Sequence, residues 1–311
     1  MSGLTGISKS TDLITQVETV NSVISFLGLA LDSTALDADA KWKVTRTSSI
    51  GKIVKDIIAG DGEYNQVWND RNDGIMFPPL DLLNNFSTFF DGNNDHLDFG
   101  DAHNFDNAKA WSLSMWVKPD NITQQRCLWS KTTDDSDVFG WGLYINNAGK
   151  IFLQMRASGQ NRQHTFGITL QANVWQHIVL TVSGNQNING CKIYIDNVLD
   201  TIPATGTVTN TLITTESSRI GRRNTSFHYS GFMDRVTFWN KSLSDSEVSQ
   251  MYNNRIFISP ITQSFVGDLL HYYRMGDDDT VVAMIDNHGA INGILKNFPS
   301  VIENIYFNEV A

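Results

Sequence analysis

Residues 231–252 read Gly231-Phe-Met-Asp-Arg-Val-Thr-Phe-Trp239, then Asn240-Lys-Ser-Leu-Ser244, then Asp245-Ser-Glu-Val-Ser-Gln-Met-Tyr252. In the first part Met233, Arg235, Thr237 and Trp239 alternate with Phe232, Asp234, Val236 and Phe238. A period of two with apolar residues in both sets predicts a β-strand partly covered on both faces. Ser244 then stands three residues before Glu247. At that spacing the serine hydroxyl accepts from a free helical N–H and the glutamate reaches back, which predicts a capped helix. Val248, Met251 and Tyr252 fall on one face of it.

Working outward, ordered strand-like segments precede this stretch. They are Phe89-Phe-Asp-Gly92 with Asp95, Leu97 and Phe99; Trp111–Pro119; Gly140–Ile145; Val174–Thr181; Lys192–Asn197; and Arg219–Gly221. With the Gly-x-x-Asp-x-Val-x-x-Trp strand and the Leu-Ser-x-x-Glu-Val turn, residues 86–254 closely resemble laminin-G-like, concanavalin A-like jelly-roll domains. The resemblance implies an all-β antiparallel jelly-roll sandwich. Asp268–Gly276 resembles a strand that usually opens such domains, yet here it comes last. Either it returns to the same sandwich or it belongs to a truncated neighbour. The first is expected, because a lone strand exposes edges and an apolar face.

Composition agrees with a loop-rich β protein. The chain has 311 residues, 41% of them hydrophobic, with 8 Trp and 17 Phe, enough for a sizeable core. Glutamate occurs only at 18, 63, 216, 247, 303 and 309, and all other carboxylates are Asp, which favours turns over helices. Net charge is −10 and no Lys/Arg run exists, so nucleic acid and anionic membrane are poor partners. No apolar run reaches membrane-spanning length. The N-terminus lacks the basic-then-apolar order of a signal peptide, so synthesis in a host cytoplasm is expected. Cys127 and Cys191 sit on expected strands and read as small buried hydrophobes.

Before the jelly roll, Leu13, Val17, Val20, Ile24, Leu27 and Leu31 form a short heptad seam, predicting a helix over about 11–31. It suits packing on its own domain or association with further copies of the chain. Residues 41–46 alternate and residues 52–58 form an apolar run, joined by a connection ending in Gly51, which predicts a hairpin within about 40–71. The pattern LDSTALDADAKWKVTRT followed by GDGEYNQVWNDR resembles a segment of tailed-phage virion proteins, and that resemblance implies a virion location. Pro78-Pro79 bars helix and central strand, which places a boundary there. The expected domains are thus 1–79, an attachment unit, and 80–311, the jelly roll.

Catalysis finds no footing in the sequence. Glucanases of this fold family carry Glu-x-Asp-x-x-Glu on one strand, and glycoside hydrolysis needs two carboxylates within about 5–9.5 Å. That motif is absent, as are His-Glu-x-x-His and Gly-x-Ser-x-Gly. His177 reads as a core or edge residue. The expectation is a non-enzyme.

Two binding sites are expected instead. The resemblance implies calcium beside the first and last strands, held by Asp91, Asp95 and Asp234. The same residues read equally as a turn carboxylate beside Gly92 and a carboxylate paired with Arg or backbone donors. Alternation sends Trp116, Tyr144, Gln154 and Arg156 away from the core. If they share one sheet, they offer a sugar stacking rings, an amide and a guanidinium. The competing reading is that another unit covers them. Three functions follow: a virion structural protein (capsid decoration, head fibre or tail fibre) with a lectin-like module for host-surface glycan, a cellular lectin-like protein, or a hydrolase with an unrecognised site. The first is expected, with other virion proteins and further copies as partners.

A fragment of residues 80–311 is predicted to be soluble and to melt cooperatively with a β-rich circular dichroism spectrum. A molten or insoluble fragment, beside a well-folded full chain, would place the boundary elsewhere.

Overall fold

The computed structural model describes residues 29–32, 42–46, 54–57, 86–133, 139–201, 206–253, 260–277, 279–302 and 305–307. By its internal contacts the chain divides into Met1–Pro79 and Leu80–Ala311.

In the first unit, β1 (Leu29–Asp32), β2 (Trp42–Arg46) and β3 (Val54–Ile57) form an antiparallel sheet in the order β1-β2-β3. Leu31 therefore lies in a strand, opposite Val44, and not at the end of a helix. The seam passes Gly28 just before this point, where helix propensity is weak, and a neighbouring strand supplies the backbone partners. Leu13, Val17, Val20, Ile24 and Leu27 lie outside the described residues.

The second unit is a sandwich of two antiparallel sheets. Its strands are β4 (Ser87–Asp91), β5 (His96–Asp98), β6 (Ala110–Pro119), β7 (Arg126–Thr132), β8 (Gly140–Ile145), β9 (Lys150–Ala157), β10 (Gln160–Thr169), β11 (Gln176–Ser183), β12 (Cys191–Ile195), β13 (Val198–Leu199), β14 (Ser218–Ile220), β15 (Ser230–Trp239), β16 (Leu269–Tyr273), β17 (Ala283–Met284), β18 (Gly293–Lys296) and β19 (Tyr306–Phe307). The first sheet runs β13-β12-β11-β6-β15-β4-β19, with β16 also paired to β15. The second runs β10-β9-β8-β7-β14-β5-β18-β17.

Strand β15 departs from plain alternation. Asp234 pairs with Trp116 but Thr237 pairs with Ser114, so β15 has one residue more than β6 across that step. Arg235 takes φ 47° there, the signature of a bulge. The bulge puts Met233, Val236 and Phe238 together in the sandwich core and turns Thr237 and Trp239 outward. Strict alternation would have aimed Arg235 into the sandwich core with Met233. In the core Phe238 lies edge-on to Trp129 at 4.3 Å and stacks on Phe105 at 4.9 Å. Each such ring contributes about 1.5–3 kcal/mol through burial alone.

Outside the first sheet a second apolar cluster forms. Helix α1 (Asp245–Tyr252) supplies Val248 and Met251, which pack with Trp239, Phe265, Leu269 and Tyr272. Its capping box is complete, with Glu247 N–H donating to Ser244 Oγ and Ser244 N–H donating to Glu247 Oε2 at 2.9 Å. Cys127 and Cys191 are buried thiols, and burial pushes each up to about 12.

The late strand β16 does return to this sandwich, pairing Val236–Tyr273 through Trp239–Leu269. Asp286 fastens it. Its carboxylate meets His271 Nδ1 at 2.6 Å and accepts from the N–H groups of Tyr272 at 3.0 Å, Gly289 at 2.8 Å and Ile291 at 3.2 Å. Gly289 has no room for a side chain, since a Cβ would strike this carboxylate and the Leu270 carbonyl. Beneath lies a buried polar chain: His103 Nδ1 meets Ser218 Oγ at 3.0 Å and Nε2 meets Tyr273 Oη at 3.1 Å, while Trp129 donates to Ser218 Oγ at 2.8 Å. Burial keeps His103 far below the usual imidazole range, hence neutral.

Burial opposes ionisation of Asp286, but His271 and the backbone donors outweigh it and hold the carboxyl down to about 2. A lowered folded pKa gives stability that is complete above about pH 4 and lost as pH falls towards 2. Asp286→Ala is expected to cost about 2–3 kcal/mol in urea unfolding at pH 7. That cost should shrink in the same experiment at pH 2–3.

Candidate functional site

The second sheet brings three of the four expected sugar contacts to one face. Leu143, Ile145, Leu153 and Met155 point into the core, so Tyr144, Gln154 and Arg156 point out. Tyr144 pairs with Phe152, Gln154 with Gly142 and Arg156 with Gly140. Across the other edge of β9, Gln154 pairs with Gln163 and Arg156 with Asn161. Gln163 and Asn161 are exposed, Arg156 is half-buried and Gln154 lies at their base, 3% exposed. The Gln154 Oε1 has no hydrogen-bond partner among the described residues. The result is two adjacent rungs of amide and guanidinium groups, opening at the β10 edge.

The rung through Gln154 continues inward. Gly142 pairs with Ser130, Ser130 with Arg219, and Arg219 with Asp98. Its middle is roofed, because Ser130 Oγ donates to the Arg222 carbonyl at 2.9 Å and Arg219 is 8% exposed. Arg219 Nε lies 3.6 Å from Asp98 Oδ2. Burial first, then the neighbouring Arg219 charge, lowers the basicity of Arg222. Among the described outward residues of these paired strands Asp98 is the carboxylate on this face, and it already has a cation.

The expected stacking rings are not available. Tyr144 is fully buried, its face covered by Phe152 at 4.8 Å and its edge met by Phe227 at 6.2 Å. It lies across Gly142, where any side chain would collide with its hydroxyl. Trp116 belongs to the other sheet and lies on that sheet's outer side. It is 4% exposed, sandwiched with His177 at 5.0 Å and Tyr252 of α1 at 6.0 Å. The capped helix, legible in the sequence, is what covers it. Ser114 Oγ is 2.7 Å from His177 Nε2, and burial pushes this imidazole down to about 3. It is a packed, neutral ring.

The three expected calcium ligands do not converge. Asp91 pairs with Ser230, so Asp234 lies four residues further along β15, about 13 Å away at strand rise. Asp234 is fully buried, with Arg235 Nε 3.6 Å from its Oδ2. Asp91 accepts from Asn93 N–H at 2.8 Å and Asn93 Nδ2 at 3.0 Å, donors that a cation would have to displace. These hydrogen bonds outweigh partial burial and hold Asp91 below the usual range. Asp95, 2% exposed, accepts from the Asp91 N–H at 3.0 Å, leaving its Oδ1 without a partner among the described residues. One orphan oxygen does not make a site for an ion that takes six to eight ligands. No group of three His, Cys, Asp or Glu among the described residues is placed to share a metal.

A laminin-G-type family model described as Concanavalin A-like lectin/glucanases superfamily matches residues 91–249, half of the chain, and the chain belongs to that superfamily. Its structure is similar to that of a Bacteroides ovatus protein described as a candidate carbohydrate binder, at 15% identity and TM-score 0.51, over 91% of this chain and 83% of that one. It is also similar to a heptameric SAP-like pentraxin from Limulus polyphemus, at 14% identity and TM-score 0.44, over 68% and 95%. A third similar structure is domain 4 of an extracellular arabinanase from Geobacillus stearothermophilus in complex with arabinotriose, at 18% identity and TM-score 0.40, over 53% and 76%. At 15% identity the likeness to the Bacteroides protein is one of fold. No curated protein matches the chain.

Burial first, and the nearby Asp91 charge, raise Asp95 to about 6. An open-chain aspartate titrates near 3.9, so between about pH 4 and 6 the folded state keeps a proton that the unfolded state has lost. Stability therefore falls as pH rises through that window and stays lowered above it. Asp95→Asn keeps the shape without the charge. It is expected to raise the melting temperature at pH 7 by about 2–6 °C, for about 1–2 kcal/mol, and to flatten the pH 4–6 slope. Thermal melts at four pH values check both.

Proposed function

We propose that this chain is a non-enzymatic virion structural protein of a tailed phage, a capsid decoration, head fibre or tail fibre, whose jelly roll holds host-surface glycan. The observation that carries the sugar-binding part is the pair of rungs Gln154–Gln163 and Arg156–Asn161 on one sheet face. Amide and guanidinium groups set on rigid strands match the hydroxyls of a saccharide, which both donate and accept. Superfamily membership supports the same reading.

A binding role fits this face better than hydrolysis does. Cleaving a glycoside takes two carboxylates at a defined separation. Here Asp98 faces Arg219 across a 3.6 Å contact, and Gln154 and Arg156 bring no second acid. Calcium stays outside the proposal, because Asp91, Asp95 and Asp234 do not form a set.

The virion part rests on the residue pattern of 32–71 and on the seam at Leu13, Val17, Val20, Ile24 and Leu27. In this reading residues 1–79 attach the protein to other virion proteins or to further copies, and residues 80–311 face outward. A short seam needs a partner surface, since isolated helices of this length rarely persist. The strong negative charge keeps free jelly rolls apart.

Removing residues 1–79 is expected to leave a monomer in sedimentation that no longer joins phage particles yet still binds glycan. Arg156→Ala in the full chain should weaken glycan binding at least tenfold with little change in melting temperature. A fragment that still joins particles places attachment on the jelly roll. Undiminished glycan binding by Arg156→Ala removes the two-rung site.

A further inference from the structure

On the outer side of the first sheet, far from the Gln154–Arg156 rungs, lies a groove of about 760 Å3. That volume falls within the range of about 300–1,000 Å3 typical of small-molecule sites. Two pieces distant in sequence build it: the end of β11 with the turn and the start of β12 that follow it, and the Ser242–Ser246 turn that leads into α1. Its floor is Thr181, which pairs with Ser112 on one side and Lys192 on the other.

Thr181 is 1% exposed, and its hydroxyl has no hydrogen-bond partner among the described residues. A buried hydroxyl left unpaired costs about 1–3 kcal/mol, so its place at the base of a groove points to a ligand that completes it. Asn185 and Asn189 stand exposed along one wall, with half-buried Ser242 and exposed Ser246 along the other. The lining's cation, Lys192, has Nζ 3.3 Å from Asp245 Oδ1, which also accepts from Tyr194 Oη at 2.6 Å. These contacts, that from Tyr194 foremost, hold the Asp245 carboxyl below its usual range, so Lys192 and Asp245 offset each other. At the helix end the capping box already takes the Ser244 and Glu247 N–H groups.

We propose that this groove is a second saccharide site, specific for uncharged sugars. Side-chain amides and hydroxyls donate and accept in turn, as neighbouring sugar hydroxyls do. An anionic ligand would meet a lysine already matched by a carboxylate. An apolar one would leave the Thr181 hydroxyl unsatisfied. Among the described residues no aromatic ring lines the groove, so recognition rests on hydrogen bonds and not on stacking.

The test uses the full chain and titration calorimetry with maltotriose, cellotriose and mannotriose, and with sialyllactose as the acidic control. At least one neutral trisaccharide is expected to bind. Thr181→Val keeps the shape and removes the hydroxyl; it should weaken that binding about tenfold while the melting temperature holds or rises. Ser246→Trp, a change on the exposed rim, should abolish it. Arg156→Ala should leave it unchanged. Failure of all three neutral sugars, binding of sialyllactose alone, or indifference to both groove variants overturns the proposal. Loss in Arg156→Ala with retention in Thr181→Val also overturns it, and leaves the two-rung site standing.

Discussion

Strand β15 is hydrogen-bonded along both edges, and everything else in the sandwich is arranged around how those edges are shared. One edge belongs to β6 from Gly231 to Trp239. The other is divided: β4 takes Ser230–Met233 and β16 takes Val236–Trp239. The bulge at Arg235 lies at the hand-over. It lets one strand keep apolar residues inward on both sides of the division, Met233 before it and Val236 and Phe238 after. It also points Thr237 and Trp239 at the helix that covers the sheet's outer side. A bulge at such a place re-aims the side chains that follow it.

Much of this architecture was legible in residues 86–254, because period-two patterning and the Ser244–Glu247 box each have a direct physical reading. The bulge was not. Nothing in Asp234-Arg-Val-Thr237 marks an extra residue, since the signal is a mismatch with β6, over a hundred residues earlier. Leu31 misled for a related reason: a heptad spacing was visible, but the strand pairing that overrides it was not. The expected binding residues divide along the same line. Alternation placed Tyr144, Gln154 and Arg156 on one face correctly, because it is local. It could not say that Trp116 sits on the other sheet, that Tyr252 covers it, or that Phe152 and Phe227 enclose Tyr144. Asn161 and Gln163, which complete the rungs, sit in a strand whose register only the fold reveals.

The two surfaces proposed for saccharide differ in electrostatic character. The rungs on the second sheet include a guanidinium and lie on the sheet that also holds Arg219, in a chain of net charge −10. The groove on the first sheet is lined by amides and hydroxyls with its one cation matched. Buried titratable groups elsewhere serve the fold: Asp286 is ionised and fully satisfied, and His103 and His177 are neutral and packed.

The order in which strands meet has a consequence for biosynthesis. Strand β4 lies between β15 and β19, and β5 lies between β14 and β18. The first strands of the domain to leave a ribosome thus wait for partners at Ser218–Ile220, Ser230–Trp239, Gly293–Lys296 and Tyr306–Phe307. Neither sheet can close around them until those later strands have been made. A nascent chain stalled before residue 293 would carry the unpaired edges of β4 and β5 into a crowded cell.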